Sequence, residues 1–432
     1  MSQASQAVDG GRAPAAAASA ASDAAATENL LALVRDLHAT PQRTVLAFAG
    51  AGAEALALLH AVGGSSRTVL EAVDLYADRS MTEWIGFTPA QFTSQHTARV
   101  MAEAAWRRAR RLTAGERIAT THPPAGADGE PRSVPVPVFG LACTATIATD
   151  RVKKGEHRAV VAVRDGFGTA SYAITFEKGA RERAGEERAV SQLVLRAAAD
   201  ACGVLRPTPL DLTGDEALEV GFEPAPLLAQ FDAGERPFVV VREDGTLTSE
   251  LPDAGAIDGP RVALLSGAFN PVHEGHLELA RVAAGRVDGG HARPVFELPL
   301  VNADKSPIDV SEGRRRAQQF AGRAPLVLTR EPLFTGKARL LPGCTFVVGA
   351  DTAERIVDPR FYGDDASGVA AALEALRAQG ARLLVAARRV GERMVALADV
   401  AVPQGFEDLF EAIPEDAFRS DLASTALRRG WR

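Results

Sequence analysis

Between Ser266 and Ala280 the sequence reads SGAFNPVHEGHLELA. His273 and His276 stand three residues apart, a spacing that puts both rings on one side of a helix. Imidazole donates or accepts hydrogen bonds and changes charge near neutral pH. Gly267 lets the backbone approach a ligand with no side chain in the way. Pro271 fixes the turn. Gly275 falls at the mouth of the helix, where unpaired N–H groups and the helix dipole favour an anion. Two imidazoles beside a helix N-terminus make a site for phosphate oxygens.

The elements that must hold these residues can be read on either side. The apolar run RVALL precedes the turn as a strand, and GHLELARVAAG follows it as a helix. From Arg261 onward such runs alternate: RPVFELPL, SEGRRRAQQFAG, PLVLTR, CTFVVGAD, GVAAALEALRAQG, RLLVAARR. Alternation of this kind predicts βαβ units around a parallel sheet covered on both faces. Ligands of such sheets bind beyond the carboxyl ends of the strands, which is where the two histidines fall. The Arg314–Arg316 run reads as a solvated helix face.

Upstream, TENLLALVRDLHA predicts a helix with Thr27 as N-cap, RTVLAFAGAG a strand, and SQHTARVMAEAAWRRARRL a long amphipathic helix. VFGLACTATIA, HRAVVAVRD and ASYAITF predict three more strands, and ARERAGEERAVSQLVLRAAADACG a helix ending at a Gly. The fold class is α/β, with two α/β domains, the C-terminal one a doubly wound, Rossmann-like parallel sheet. The expected division is a disordered Ala-rich tail at 1–27, a first domain at 28–205, a connecting segment at 206–260 and a second domain at 261–432.

The bulk composition sets limits. With 432 residues, 46% of them hydrophobic, the chain exceeds one ordinary core. A formal net charge of −7 argues against coating nucleic acid or an anionic membrane. Cys143, Cys202 and Cys344 are far apart and offer neither a disulfide framework nor a zinc spacing. No secretory or transit pattern and no run of about 18 apolar residues is seen, so the expected location is the cytoplasm.

The turn GAFNPVHEGH resembles the HxGH signature of the nucleotidylyltransferase superfamily, especially the adenylyltransferases acting on nicotinamide or nicotinate mononucleotide. The resemblance covers about 261–432. DLASTALRRG is similar to that family's Ser-Ser-Thr-x-x-Arg segment, placing Ser424, Thr425 and Arg428, with Ala423 in place of the first Ser. FVVGADTAERI resembles its Gly-Ala-Asp segment, at Gly349 and Asp351. LLVAARRVG resembles its strand ending in an arginine, at Arg388. PLVNADKSP resembles its substrate-side loop, at Lys305.

This resemblance implies transfer of AMP from ATP to a phosphate-bearing acceptor such as nicotinamide or nicotinate mononucleotide, with Mg²⁺ carried on the triphosphate and no dedicated metal cage. His273, His276, Lys305 and Arg428 would act on the phosphates. Gly267, Phe269, Gly275, Gly349, Asp351, Arg388, Ser424 and Thr425 would bind the nucleotide. Two alternatives stay open: a CTP-using or phosphopantetheine-type transferase with the same core, and a nucleotide sensor that binds without turnover.

The first domain is similar to the CinA C-terminal family, which includes nicotinamide mononucleotide deamidases, through AVGGSS, VDLYADRS, QFTSQHTARVMAEAA, GLACTATIA and GARERAGEERAVSQLVLRAA. The family's catalytic turn reads Glu-Ser-x-Thr-Gly-Gly; here Phe48, Ala49 and Ala51 stand for Glu, Ser and Thr. Tyr76 matches the family's Tyr, and Met81 replaces its Lys. The resemblance therefore implies a domain without deamidase chemistry. Gly52, Ser65, Ser66, Tyr76 and Thr144 are expected to pack, and a homo-oligomer formed through this domain is admitted.

Overall fold

The computed structural model describes residues 12–119, 133–150, 154–251, 262–290, 292–303, 306–390 and 393–418. The chain opens with helix α1 (Arg12–His38). Over 12–27 a helix stands where a tail was expected, and Thr27 lies inside it instead of at its cap; residues 1–11 of the expected tail lie outside the described residues. Alanine has the highest helix propensity, so the Ala-rich stretch extends the helix upstream of Thr27 instead of ending it. Leu30, Leu33, Val34 and Leu37 recur at helical spacing and are buried as one face. Each such side chain contributes roughly 1.5–3 kcal/mol.

The first sheet follows. Its parallel half is β1 (Arg43–Ala49), β2 (Val69–Asp74) and β5 (Val138–Thr146), with a separate hairpin, β3 (Arg117–Ala119) and β4 (Ser133–Pro135), before β5. Its antiparallel half is β6 (His157–Asp165), β7 (Gly168–Phe176) and β8 (Glu219–Pro224). The strand order is β2-β1-β5-β6-β7-β8. Helices α2 (Ala53–Ala61), α3 (Asp78–Ile85), α4 (Gln95–Leu112) and α5 (Arg183–Ala201) cover it. Along β1, Leu46 and Phe48 join the core beneath α1, α2 and α5, while Ala47 and Ala49 join that beneath α3 and α4. Gly140 on β5 has no room for a side chain, because a Cβ there would lie 2.2 Å from Trp106 N and 2.3 Å from Ala102 O on α4.

The second sheet is assembled from β9 (Phe238–Val241) through β18 (Phe410–Ile413). Its edge hairpin pairs β9 with β10 (Leu247–Thr248), and α6 (Pro226–Asp232) precedes it. Six parallel strands form the rest: β11 (Val262–Ser266), β12 (Arg293–Pro299), β13 (Leu326–Thr329), β14 (Thr345–Gly349), β15 (Arg382–Ala386) and β18; β16 (Arg388–Val390) and β17 (Arg393–Val395) form a separate hairpin. The order of the parallel strands is β13-β12-β11-β14-β15-β18. Counted within the sheet this is 3-2-1-4-5-6, the doubly wound order, whose reversal lies between β11 and β14. Leu264 and Val348 face one core and Leu265 and Val347 the other, so both faces are packed. The helices are α7 (Glu274–Ala284), α8 (Val310–Ala317), α9 (Phe334–Leu340), α10 (Ala350–Ile356) and α11 (Ala366–Ala378). The two sheets make the chain a protein of two α/β units.

The stretch read as a connection serves both sheets: β8 pairs with β7, and β9 pairs with β13. Among the described residues no helix is long and apolar enough to cross a membrane.

Candidate functional site

β11 and β14 diverge at the reversal of strand order, and the turns that follow them face each other there. After β11 the chain makes the turn 267–273 and enters α7, with His273 at the N-cap. After β14, Gly349 caps α10 and Asp351 lies in its first turn. After β15 comes Arg388. Gly267, Phe269, His273, Gly275, His276, Gly349, Asp351 and Arg388 all line one cavity of about 420 Å³. Asn302 and Ala303, and Phe418, line it too. Lys305, Ser424, Thr425 and Arg428 lie outside the described residues.

The two histidine rings stack, with centroids 3.8 Å apart. The His273 N–H donates to His276 Nδ1 (3.3 Å). That bond makes Nδ1 an acceptor, so the neutral His276 ring carries its proton on Nε2. Burial, then His273 and Arg388, push the His276 pKa down to about 3. His273 is lowered by burial and by Arg388, against Glu274, which raises it. Both rings are therefore neutral at pH 7. His273 Nδ1 is buried and finds no hydrogen-bond partner among the described residues.

Phe269 lines the cavity with its side chain largely buried. Its φ is +43°, a left-handed value for a bulky residue. Its side chain is buried and packs edge-on to His276 (centroids 5.2 Å), Phe296 and Phe320. It thus supports the imidazole from behind. Gly267 is required by the same ring, since a Cβ there would sit 2.8 Å from it. Gly349 is required by its neighbours: a Cβ would lie 2.5 Å from Asp351 Oδ1 and 3.0 Å from Arg388 Cδ. Arg388 Nε is 3.7 Å from Asp351 Oδ1, and both side chains are partly exposed.

Two cationic residues of the cavity lining, Lys337 and Arg355, escaped the sequence reading. Lys337 on α9 is buried, lines the cavity, and donates to Ser266 Oγ (2.7 Å) and Glu297 Oε2 (2.8 Å). Glu297 is fully buried and also accepts from the hydroxyls of Ser266 and Thr329. This network fixes the end of β11, from which the histidine turn springs. Its one sequence signal was a glutamate inside the strand run RPVFELPL; Lys337, in FTGKARLL beside Arg339, has nothing local to mark it as buried.

Arg314 corrects the reading of the Arg314–Arg316 run. It is buried, and its guanidinium donates to Asp165 of the first unit. Arg316 Nη1 donates to the Ala268 carbonyl (3.1 Å). A solvated face was expected because the helix pattern alone does not show the first sheet packed against it.

The expected dead site of the first domain is packed shut. Phe48, Ala49 and Met81 are buried. At the N-terminus of α2, Glu187 takes the place an anion would have, accepting from Gly52 N–H (2.9 and 3.1 Å) and Glu54 N–H (3.2 Å). Thr144 is buried and donates to the Phe92 carbonyl, whereas Ser65 pairs with His60 at the surface. Tyr76 is 72% exposed, so it does not pack as expected. No group of three or more His, Cys, Asp or Glu that could hold a metal occurs among the described residues.

No protein-family model matches the chain, and no curated protein matches it. Solved structures it is similar to include competence/damage-inducible proteins. The protein CihA from Agrobacterium tumefaciens shares 16% identity over 39% of this chain and 92% of its own, with a TM-score of 0.29. A competence-damaged (CinA) superfamily protein from Escherichia coli shares 14% over 40% and 86%, with a TM-score of 0.27. The competence damage-inducible protein A (ComA) from Klebsiella pneumoniae shares 14% over 40% and 95%, with a TM-score of 0.29.

Proposed function

We propose that the chain is a nucleotidylyltransferase that moves a nucleotidyl group, AMP from ATP, to a phosphate-bearing acceptor such as nicotinamide or nicotinate mononucleotide. The observation that carries this reading is the stacked His273–His276 pair at the mouth of α7, at the strand reversal of a 3-2-1-4-5-6 sheet. Neutral imidazoles at a helix N-terminus donate N–H groups to phosphate oxygens without repelling the arginine alongside.

In the proposed reaction a phosphate oxygen of the acceptor attacks the α-phosphorus in line. A new P–O bond forms there, the bond from the α-phosphorus to the bridging oxygen breaks, and pyrophosphate leaves with the electron pair. Mg²⁺ arrives and departs with the phosphates as part of the co-substrate. No protein nucleophile is needed; positioning and charge stabilisation carry the rate. The His276 Nε2–H would hold a phosphate oxygen, and Arg388, with Lys305 and Arg428, would offset the spreading negative charge. Ser424 and Thr425 would bind phosphate, and Gly349 would let the nucleotide pass close to the backbone.

The test is pyrophosphate release with Mg²⁺, crossing ATP and CTP with nicotinamide mononucleotide, nicotinate mononucleotide and phosphopantetheine. Release is expected with ATP and a pyridine mononucleotide, falling about 10²–10³-fold in His276→Ala. Release with CTP alone, or with phosphopantetheine alone, would replace the assignment. ATP binding without release from any pair would make the protein a sensor.

A further inference from the structure

The turn that carries the histidines is held by a segment that is itself held by the other half of the molecule. Gln319 lies in the short 3₁₀ turn Gln318–Phe320 that follows α8. Its side-chain oxygen accepts from Val272 N–H (2.9 Å), and its nitrogen donates to the Phe269 carbonyl (3.1 Å). One amide thus clamps both ends of the stretch whose φ at Phe269 is positive.

The opposite side of the same segment is anchored in the first unit. Gln318 Nε2 donates to Asp165 Oδ2 (2.8 Å), joining Arg314 on that carboxylate. Gln42 Nε2 donates to the Gln318 carbonyl (2.9 Å). Asp165, Gln318, Arg314 and Gln42 are each at most 4% exposed. Gly203 closes the contact: a Cβ there would stand 2.7 Å from Gln319 N. Burial makes these bonds costly to leave unmade.

We infer that Asp165 and Gln319 are positioning residues of the second unit's cavity, and that docking of the first unit on the α8 segment sets the conformation of the 268–273 turn. The first unit, without deamidase residues of its own, acts as a scaffold for the histidine turn. The consequence for ATP rests on the proposed transferase reading; the mechanical link does not.

Hydrogen–deuterium exchange of the full chain tests the link directly. Gln319→Met keeps the length of the side chain and removes both bonds to the turn, together with the one to the Arg316 carbonyl. It is expected to speed exchange of the 268–276 amides about tenfold to a hundredfold, the loss of the two hydrogen bonds to the turn, while β5 and β14 keep their protection. Asp165→Asn and the milder Gln42→Met, far from the cavity, are expected to speed the same amides in the same direction. Gln319→Glu, which can still accept from Val272 N–H, is expected to fall between wild type and Gln319→Met. Wild-type exchange of the turn in both Gln42→Met and a folded Asp165→Asn would overturn the inference. ATP titration of the same proteins separates the two claims. Wild type that fails to bind ATP, with the exchange pattern as expected, would sink the transferase reading and leave the link standing.

Discussion

Lys337 and Glu297 form a buried pair whose partners depend on each other. Removing one leaves an uncompensated charge, and Lys337→Met is expected to destabilise the chain by about 3–5 kcal/mol. The double change Lys337→Met with Glu297→Leu is expected to recover most of that loss, because no buried charge remains. Urea unfolding of the single and double variants measures both. A single variant as stable as wild type would mean that the pair is solvated. His276 makes a second prediction at this scale. Its pKa is about 3 in the folded chain, driven down first by burial, against an ordinary value of 6.5. Between these values the unfolded chain binds a proton that the folded chain refuses, so stability is full above about pH 6.5 and falls as pH drops. Thermal unfolding between about pH 7 and pH 5 should show this decline, and His276→Gln should flatten part of it.

At the scale of elements, glycines mark where backbone meets backbone. Gly140→Ala is expected to pry α4 from β5, since the new Cβ would collide with main-chain atoms that cannot move alone. A loss of more than about 3 kcal/mol in denaturant unfolding is the expected outcome. Gly349→Ala meets a softer neighbourhood, two side chains, and is expected to weaken nucleotide binding while leaving the melting temperature near wild type; calorimetric titration with ATP checks it. The pattern that made this second sheet legible was strong. Apolar runs of four to seven residues alternate with helical periods, and the Gly, Pro and His residues of the turn after β11 mark the place where the candidate cavity opens. What stayed hidden had no periodicity to show it. RPFVVVRE reads as a strand and becomes β9, but nothing local marks its pairing with β13 or that of β8 with β7. Arg314 has the spacing of a surface residue and is buried only because the first sheet arrives beside it. Glu187 sits in an ordinary helix, and nothing local marks its hydrogen bonds to Gly52 and Glu54.

For the whole molecule, the boundary between the halves is not a hinge of spare chain. Phe167 of the turn between β6 and β7, with Leu228 and Phe231 of α6, belongs to the core that also holds Leu265 and Phe296. A fragment of residues 261–432 would expose β13 as an unpaired edge and leave that core short of three large side chains. It is expected to aggregate on expression, and size-exclusion chromatography beside the full chain decides it; a monodisperse, folded fragment would show that α6, β9 and β10 are dispensable.

The edge hairpin also bears on the order of events at the ribosome. β9 emerges with β10 well before β13, its partner through the Val241–Leu326 register, has been translated. At ordinary elongation rates the gap is on the order of ten seconds. During that interval Val239, Val240 and Val241 form an apolar strand with one side unpaired. The nascent chain therefore passes through a stage at which the first sheet can close through β8 while the hairpin beyond it waits, a window in which chaperone demand should be greatest.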